Sequence, residues 1–272
     1  NTYAVAVANG SIALDLAYRS IKDNSSKNEI ITTPRTYIAT SSSAVLQGLT
    51  PVFADVDFNS GLITPKTIEP LINKNTLGIS VVHLAGVPSD MNNIKKLAAN
   101  YNLKIIEDCS QSHGAKILNN GKWISVGSFG DLATWSFCQD KIISTGGEGG
   151  MVTMHEDKYW DKIWSYKDHG KSFELVNKKN NSNEYRWLHK NFGTNYRLTE
   201  FQSAIGRKQL SKLDNWIKLR TRNANILNDA LMYVDCIRVP KFESNIKNAW
   251  YKYYVYLKEE NLRSDWSRTR II

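Results

Sequence analysis

Lysine becomes a nucleophile where its surroundings keep it from being a solvated cation. Lys141 has such a setting: Ser136-Phe137-Cys138-Gln139-Asp140-Lys141 runs into Thr145-Gly146-Gly147-Glu148-Gly149-Gly150. The glycines follow the lysine, so this is neither Gly-x-Gly-x-x-Gly nor Gly-x-x-x-x-Gly-Lys-Ser/Thr. The order suits a tight return between two strands with Lys141 pointing into a pocket; a surface lysine is the plain alternative. Asp108 ends an apolar run and precedes Cys109-Ser110-Gln111-Ser112-His113-Gly114. A carboxylate there either caps a loop or faces a ligand cation, and Gln111 and His113 add two hydrogen-bonding groups close by. Asn9-Gly10-Ser11 stands where a helix opens. It is either an ordinary capped turn or a place where backbone N–H groups and a hydroxyl meet a phosphate.

Together these residues offer an anion seat (Gly10, Ser11, Ser136), a carboxylate (Asp108) and an imine-forming amine (Lys141). Pyridoxal 5'-phosphate requires that combination. No metal-ligand spacing is visible, and the expected metal set is none.

The elements that must position these groups alternate along the chain. Strands are expected over 3–7, 29–32, 51–55, 77–83, 103–107, 133–137 and 151–154. Helical patterns fall over 12–21, 39–47, 90–100 and 156–166, with Thr64 capping a helix that has Pro65 at its first position. The alternation predicts a mainly parallel sheet covered by helices on both faces. In such sheets ligands bind beyond the carboxyl ends of the strands, where all three motifs fall. Residues 170–190 are polar and read as an excursion over the surface. Thr199-Glu200-Phe201-Gln202 reads as a capping box for a helix to Leu210, and a longer helix follows over 212–232. The segments 236–239 and 250–257 read as strands of a second layer.

With 35 basic and 26 acidic residues among 272 the net charge is +9, and hydrophobic residues make up 42%. That composition excludes disordered, collagenous and disulfide-scaffold chains. The basic residues are scattered without a run, so the charge does not imply nucleic-acid binding. No apolar stretch reaches the roughly 18 residues of a membrane helix. Cys109, Cys138 and Cys236 are an odd number and read as reduced thiols of a cytoplasmic protein. The sequence opens in a β-like run without an initiator Met or a leader and stops at Arg270-Ile271-Ile272, so both ends read as cuts through a longer protein.

Six ordered segments carry a resemblance. They are Val7-Ala8-Asn9-Gly10-Ser11-Ile12-Ala13-Leu14, Thr36-Tyr37-Ile38-Ala39-Thr40, Val82-His83-Leu84-Ala85-Gly86 with Asp90-Met91, and Glu107-Asp108-Cys109-Ser110-Gln111-Ser112-His113-Gly114-Ala115. Ser136-Phe137 with Lys141 and Gly147-Glu148-Gly149-Gly150, and Gly193-Thr194-Asn195-Tyr196-Arg197, complete the set. In this order they resemble the DegT/DnrJ/EryC1/StrS family of sugar-nucleotide aminotransferases. Ser11 stands for a Thr of the family pattern, and Ser110 for an Ala. The resemblance runs from Ala4 to about Leu213 and more weakly beyond.

It implies the α/β three-layer fold type I of PLP-dependent transferases. The large domain would occupy residues 1–213, its N-terminal arm missing. A linking helix and the start of a smaller α+β domain would occupy residues 214–272. It implies that Lys141 bonds the cofactor and Asp108 pairs with its pyridine nitrogen. Gln111 would lie against the ring or its phenolic oxygen and Tyr37 would stack on the ring. Gly10, Ser11 and Ser136 would hold the phosphate, which Asn195 would reach from the partner of a homodimer. His83, His113 and Glu148 belong to the motifs with roles left open between structure and chemistry. The implied reaction is transfer of an amino group from glutamate to a nucleotide-linked keto sugar, for amino-sugar or surface-polysaccharide synthesis. Relatives that dehydrate sugars carry His at the position of Lys141, which favours amino transfer. A non-enzymatic, cofactor-binding regulator is the other alternative.

Overall fold

The computed structural model describes residues 1–23, 25–178 and 187–272. Its centre is a seven-stranded sheet built from β1 (Tyr3–Val7), β2 (Glu29–Thr32), β3 (Thr50–Phe53), β4 (Thr76–Val82), β5 (Lys104–Asp108), and, past a hairpin, β8 (Leu132–Ser136) and β9 (Gly150–Met154). The hairpin strands are β6 (Lys116–Asn119) and β7 (Lys122–Ser125). The order across the sheet is β1-β9-β8-β5-β4-β2-β3. From β8 to β3 neighbours run parallel, whereas β9 is antiparallel to both β8 and β1. The reversal follows from the glycine-rich return, which sends the chain straight back along β8 without a crossover helix.

All seven residues of β4 are buried, and in β5 all but Lys104. Both faces of these strands are covered, so β4 is largely apolar, while β5 buries Glu107 and Asp108 beside Ile105 and Ile106. Adjacent residues feed opposite cores: Ile30 and Ile106 point to one, Ile31 and Ile105 to the other. The first core is closed by α1 (Gly10–Ile21), α2 (Ala39–Leu46) and, later in the chain, α5 (Asp157–Lys167). The second is closed by α3 (Pro65–Ile68) and α4 (Met91–Asn100). The Thr64 cap is as expected, forming with Thr67 a reciprocal box behind Pro65, and Asp90 caps α4 where the sequence reading began the helix, its carboxylate accepting from Asn93 N–H. α1 buries Ala13, Leu14, Leu16, Ala17, Tyr18 and Ile21, the stripe that its apolar spacing requires.

The later part departs from expectation in three places. The polar excursion begins with a short helix, α6 (Phe173–Asn177), whose Phe173 ring sits edge-on to Trp160 and Trp164 at 4.7 and 5.0 Å. Residues 179–186 of that excursion lie outside the described residues. Helices α7 (Glu200–Leu210) and α8 (Leu213–Leu231) follow as expected. The segment 250–257 is not a strand throughout. Only β12 (Tyr256–Leu257) pairs, with β10 (Ile237–Arg238), because Trp250 takes φ +53° and turns the chain inward. The hairpin β6–β7 closes on Asn120-Gly121, both with positive φ, and is extended by β11 (Ile246–Lys247). Immediately after β11, Ala249 is fully buried in the second core, and its N–H donates to Gly86 O at 2.9 Å.

Candidate active site

A cleft of about 500 Å³ opens beyond the carboxyl ends of β1, β5 and β8. That lies within the usual range of roughly 300–1,000 Å³ for small-molecule sites. Gly10, Ser11, Tyr37, Asp108, Gln111, Ser136 and Lys141 all line it. The sheet brings together seven of the eight residues singled out from sequence. The eighth, Asn195, is exposed and lines no part of it; its Oδ1 accepts from Arg197 N–H.

Each group is fixed by local structure. Asn9 caps α1, its Oδ1 accepting from Ile12 N–H at 2.9 Å, so the N–H groups of the first turn face the cleft with Ser11. Gly10 is required by contact: a Cβ there would stand 2.6 Å from Ser136 Cβ. The helix start is thereby pressed onto the end of β8, with the Ser136 hydroxyl at the junction.

Asp108 is 5% exposed. Its carboxylate accepts from the Thr40 hydroxyl at 2.8 Å and from Ser110 N–H at 3.1 Å. Thr40 in turn is braced by Tyr18, whose hydroxyl donates to Thr40 O at 2.8 Å and also reaches Ser80 Oγ. Gln111 is oriented through Oε1, which accepts from Ala85 N–H at 2.7 Å. Ala85 has φ 60°, part of the tight turn after β4. Tyr37 stands on the rim with 70% of its surface exposed, a ring with a free face at the mouth of the cleft.

Lys141 sits on the return between β8 and β9. Lys141 N–H donates to Cys138 O at 3.0 Å, and Phe137 N–H to Gly149 O at 2.7 Å. Glu148 is held by its carbonyl, which accepts from Thr145 Oγ1 and Gln202 Nε2, while its carboxylate accepts from the Cys138 thiol at 3.5 Å. Burial pushes the Cys138 thiol up, and Glu148 adds to the shift. The Lys141 amine contacts the Tyr251 hydroxyl at 3.3 Å and the Asp140 carboxylate at 3.6 Å. Thr40, Asp140 and Tyr251 are site groups that sequence reading assigned no role. Thr40 closes a quoted motif and Asp140 adjoins the lysine, but nothing local marks Tyr251.

The two motif histidines lie outside the cleft lining. His83 is fully buried: Nδ1 accepts from Ser89 N–H at 3.0 Å and Nε2 faces Glu107 Oε2 at 3.0 Å. The Glu107 carboxylate also accepts from the N–H groups of Gly127, Phe129 and Gly130 at 2.7–2.8 Å. Burial alone would raise the Glu107 carboxyl; the His83 hydrogen bond and the backbone donors outweigh it and hold the carboxyl below its ordinary range. Cys109 lies close to this pair, but the His83 and Glu107 atoms that could bind a cation are engaged in these hydrogen bonds. The cluster ties β4 and β5 to the loop that feeds β8. His113 is packed between the rings of Trp135 and Phe137 with neither ring nitrogen hydrogen-bonded. Burial, aided by the charge of Lys141, pushes it down to about 3, so it is neutral.

The donor set suits pyridoxal phosphate. N–H groups and hydroxyls meet at a glycine cradle that fits an anion, a buried carboxylate faces a basic ring nitrogen, and a shielded primary amine faces an aldehyde.

The DegT/DnrJ/EryC1/StrS aminotransferase family model matches residues 1–270. The chain is 37% identical to a GDP-perosamine synthase of Escherichia coli O157:H7 over 82% of its own length and 57% of the relative's. It is 35% identical to a dTDP-3-amino-3,6-dideoxy-alpha-D-galactopyranose transaminase of Aneurinibacillus thermoaerophilus, over 94% of this chain and 66% of that protein. It therefore spans less than two thirds of these relatives. An aminotransferase structure from Psychrobacter cryohalolentis superposes with a TM-score of 0.94 at 47% identity, covering 99% of this chain and 69% of that one. The architecture is that of fold type I PLP-dependent aminotransferases.

Proposed function

This chain belongs to the DegT/DnrJ/EryC1/StrS aminotransferase family, and from that premise we propose that it is a pyridoxal-phosphate-dependent enzyme. In our reading it transfers an amino group from glutamate to a keto sugar carried on a nucleoside diphosphate. The observation that carries the reading is the convergence of Lys141, Asp108 and the Gly10–Ser11–Ser136 seat on one cleft. The relatives' names support nucleotide-linked sugars as the substrate class.

When bound, the cofactor supplies an aldehyde for amines and a ring that accepts the electrons of a breaking C–H bond. The first-turn N–H groups of α1, with Ser11 and Ser136, hold the phosphate. Asp108, kept in place by Thr40 and Ser110, holds a proton on the ring nitrogen. Gln111 would lie against the ring or its phenolic oxygen, and Tyr37 would stack on the ring. The Lys141 amine is the group that would bond the cofactor, and when free it would move the proton of the donor's α-carbon as general base and acid. Asn195, exposed and outside the lining of its own cleft, would serve the phosphate of the partner in a homodimer with shared sites. We place the protein in the cytoplasm, in amino-sugar synthesis for a surface polysaccharide; no described helix is long and apolar enough to cross a membrane.

The test is optical and then chemical. Cofactor-loaded protein should absorb in the visible, and glutamate should bleach that band. Addition of 3-keto or 4-keto nucleotide sugars should restore it and yield an aminated sugar by mass spectrometry. A visible band that no amino donor bleaches would refute amino transfer.

A further inference from the structure

Two polar side chains meet the Lys141 amine. The Tyr251 hydroxyl lies 3.3 Å from Nζ, and the Asp140 carboxylate 3.6 Å. The same hydroxyl donates to Asp140 Oδ2 at 2.5 Å. The phenol is therefore ordered: its proton goes to Asp140, and its lone pair faces the amine. Its ring also stands 4.8 Å from Nζ, on the path of a cation–π contact.

Tyr251 reaches the cleft on a pinned segment. Asn248 Oδ1 accepts from Trp250 N–H at 2.7 Å, the Arg220 guanidinium donates to Trp250 O at 2.9 Å, and Lys252 N–H donates to Ala85 O at 3.2 Å. Ala85 is the residue whose own N–H orients Gln111. The chain beyond β11 is thus tied to the cleft floor on either side of Tyr251.

We propose that Tyr251, backed by Asp140, is a positioning residue that accepts a hydrogen bond from the Lys141 ammonium and aims it whenever it is not bonded to cofactor. This rests on the reading of Lys141 as the cofactor-bonding amine.

Burial, with the Asp140 hydrogen bond, pushes the Tyr251 phenol far up, so it orients and does not titrate. The Tyr251 hydrogen bond in turn holds the Asp140 carboxyl below its ordinary range, so the counter-ion is charged. Water has unequal access to the two partners: the Lys141 side chain is 14% exposed and that of Asp140 56%. Loss of the hydroxyl is made good by water at Asp140 but not at Lys141. The other titratable groups around the amine are neutral His113, and Asp108, Cys138 and Glu148 in the same cleft. Lys252 lies 5.5 Å from the centroid of the Tyr251 ring. All of these are unchanged by a Tyr-to-Phe substitution.

The experiment is a pH titration of Lys141 in cofactor-free protein, following its labelling by an amine-reactive reagent through peptide mass spectrometry. Tyr251→Phe keeps the ring and removes an acceptor from the ammonium. Loss of one hydrogen bond of ordinary strength to a charged group then lowers the labelling midpoint by about one pH unit, which is about tenfold faster labelling below it. Asp140→Asn, on an exposed loop, should lower it at least as far. Tyr253→Phe, whose hydroxyl pairs with Asn228, should leave it in place. An unmoved midpoint in Tyr251→Phe overturns the proposal, because a merely structural tyrosine would not tune this amine. Covalent cofactor capture by Lys141→Ala tests the underlying reading separately. If that variant still captures cofactor, the reading of Lys141 fails. If it does not, and the Tyr251→Phe midpoint stays put, only the positioning role fails.

Discussion

A single methyl group at position 10 puts the anion seat under direct strain. In Gly10→Ala the new Cβ would stand 2.6 Å from Ser136 Cβ, 3.0 Å from its Oγ and 3.1 Å from its Cα. Carbon atoms rest at about 3.5–4.0 Å, so the start of α1 and the end of β8 must part by about 1 Å. Neither side is a loose end. Ser136 is buried and registered against Gly150 in the β8–β9 ladder, and Gly10 is fixed by the Asn9 cap. Overpacking of this kind costs roughly 1–3 kcal/mol of stability. Both sides of the gap also carry the proposed phosphate donors, and a shift of ~1 Å in a charge-assisted hydrogen bond forfeits most of it. A loss of about 1.4 kcal/mol is already tenfold in Kd. The assays are urea unfolding of cofactor-free protein and a fluorescence titration with pyridoxal phosphate. We expect a lower unfolding midpoint and at least tenfold weaker binding. A variant that binds the cofactor as tightly as the parent would refute the assignment of this junction as the phosphate seat.

Three further outcomes are expected. His113 is neutral in the fold, at about 3 against an ordinary value of 6.5. Its contribution to stability is complete above pH 6.5 and is lost as pH falls toward 3, by about 2 kcal/mol at pH 5. His113→Phe in cofactor-free protein should therefore show a shallower loss of stability between pH 7 and 5, and parallel curves would mean that His113 is not held neutral. Asp108→Asn removes the anion proposed to face the ring nitrogen and should slow turnover on the order of a hundredfold or more with cofactor still bound; unchanged turnover would reduce Asp108 to a loop cap. Co-expressing Lys141→Ala with a cofactor-binding-deficient Asn195 variant should partly restore activity, since each mixed dimer would hold one intact site. Mixed dimers as inactive as their parents would place Asn195 in its own chain's site.

The sequence was readable where local pattern and burial agree. β4 is a largely apolar run because both its faces are covered, β5 sets Ile105 and Ile106 between charged residues, and Asn9, Thr64 and Asp90 cap the helices they precede. The cleft followed, because its groups sit at strand ends whose order the motifs preserve. The hairpin β6–β7 was passed over although Asn120-Gly121 is a strong turn signal; its strands are short and begin with lysines. The aromatic run from Trp250 has β-forming composition, yet the positive φ of Trp250 and its hydrogen bond to Asn248 bend it toward Asp140 and Lys141. Tyr251 could not be found locally, since it bonds Asp140 across 111 positions. His113 looked like a third polar site group, but packing turned it between two rings and away from the cleft lining.

The central claim is that Lys141 is the amine that bonds pyridoxal phosphate at this cleft. Borohydride reduction of the cofactor-loaded protein, followed by digestion and peptide mass mapping, tests it most directly. The reduced cofactor should be found on the peptide that contains Lys141 and nowhere else. Stoichiometric cofactor on a different lysine, or its complete loss on unfolding after reduction, would contradict it.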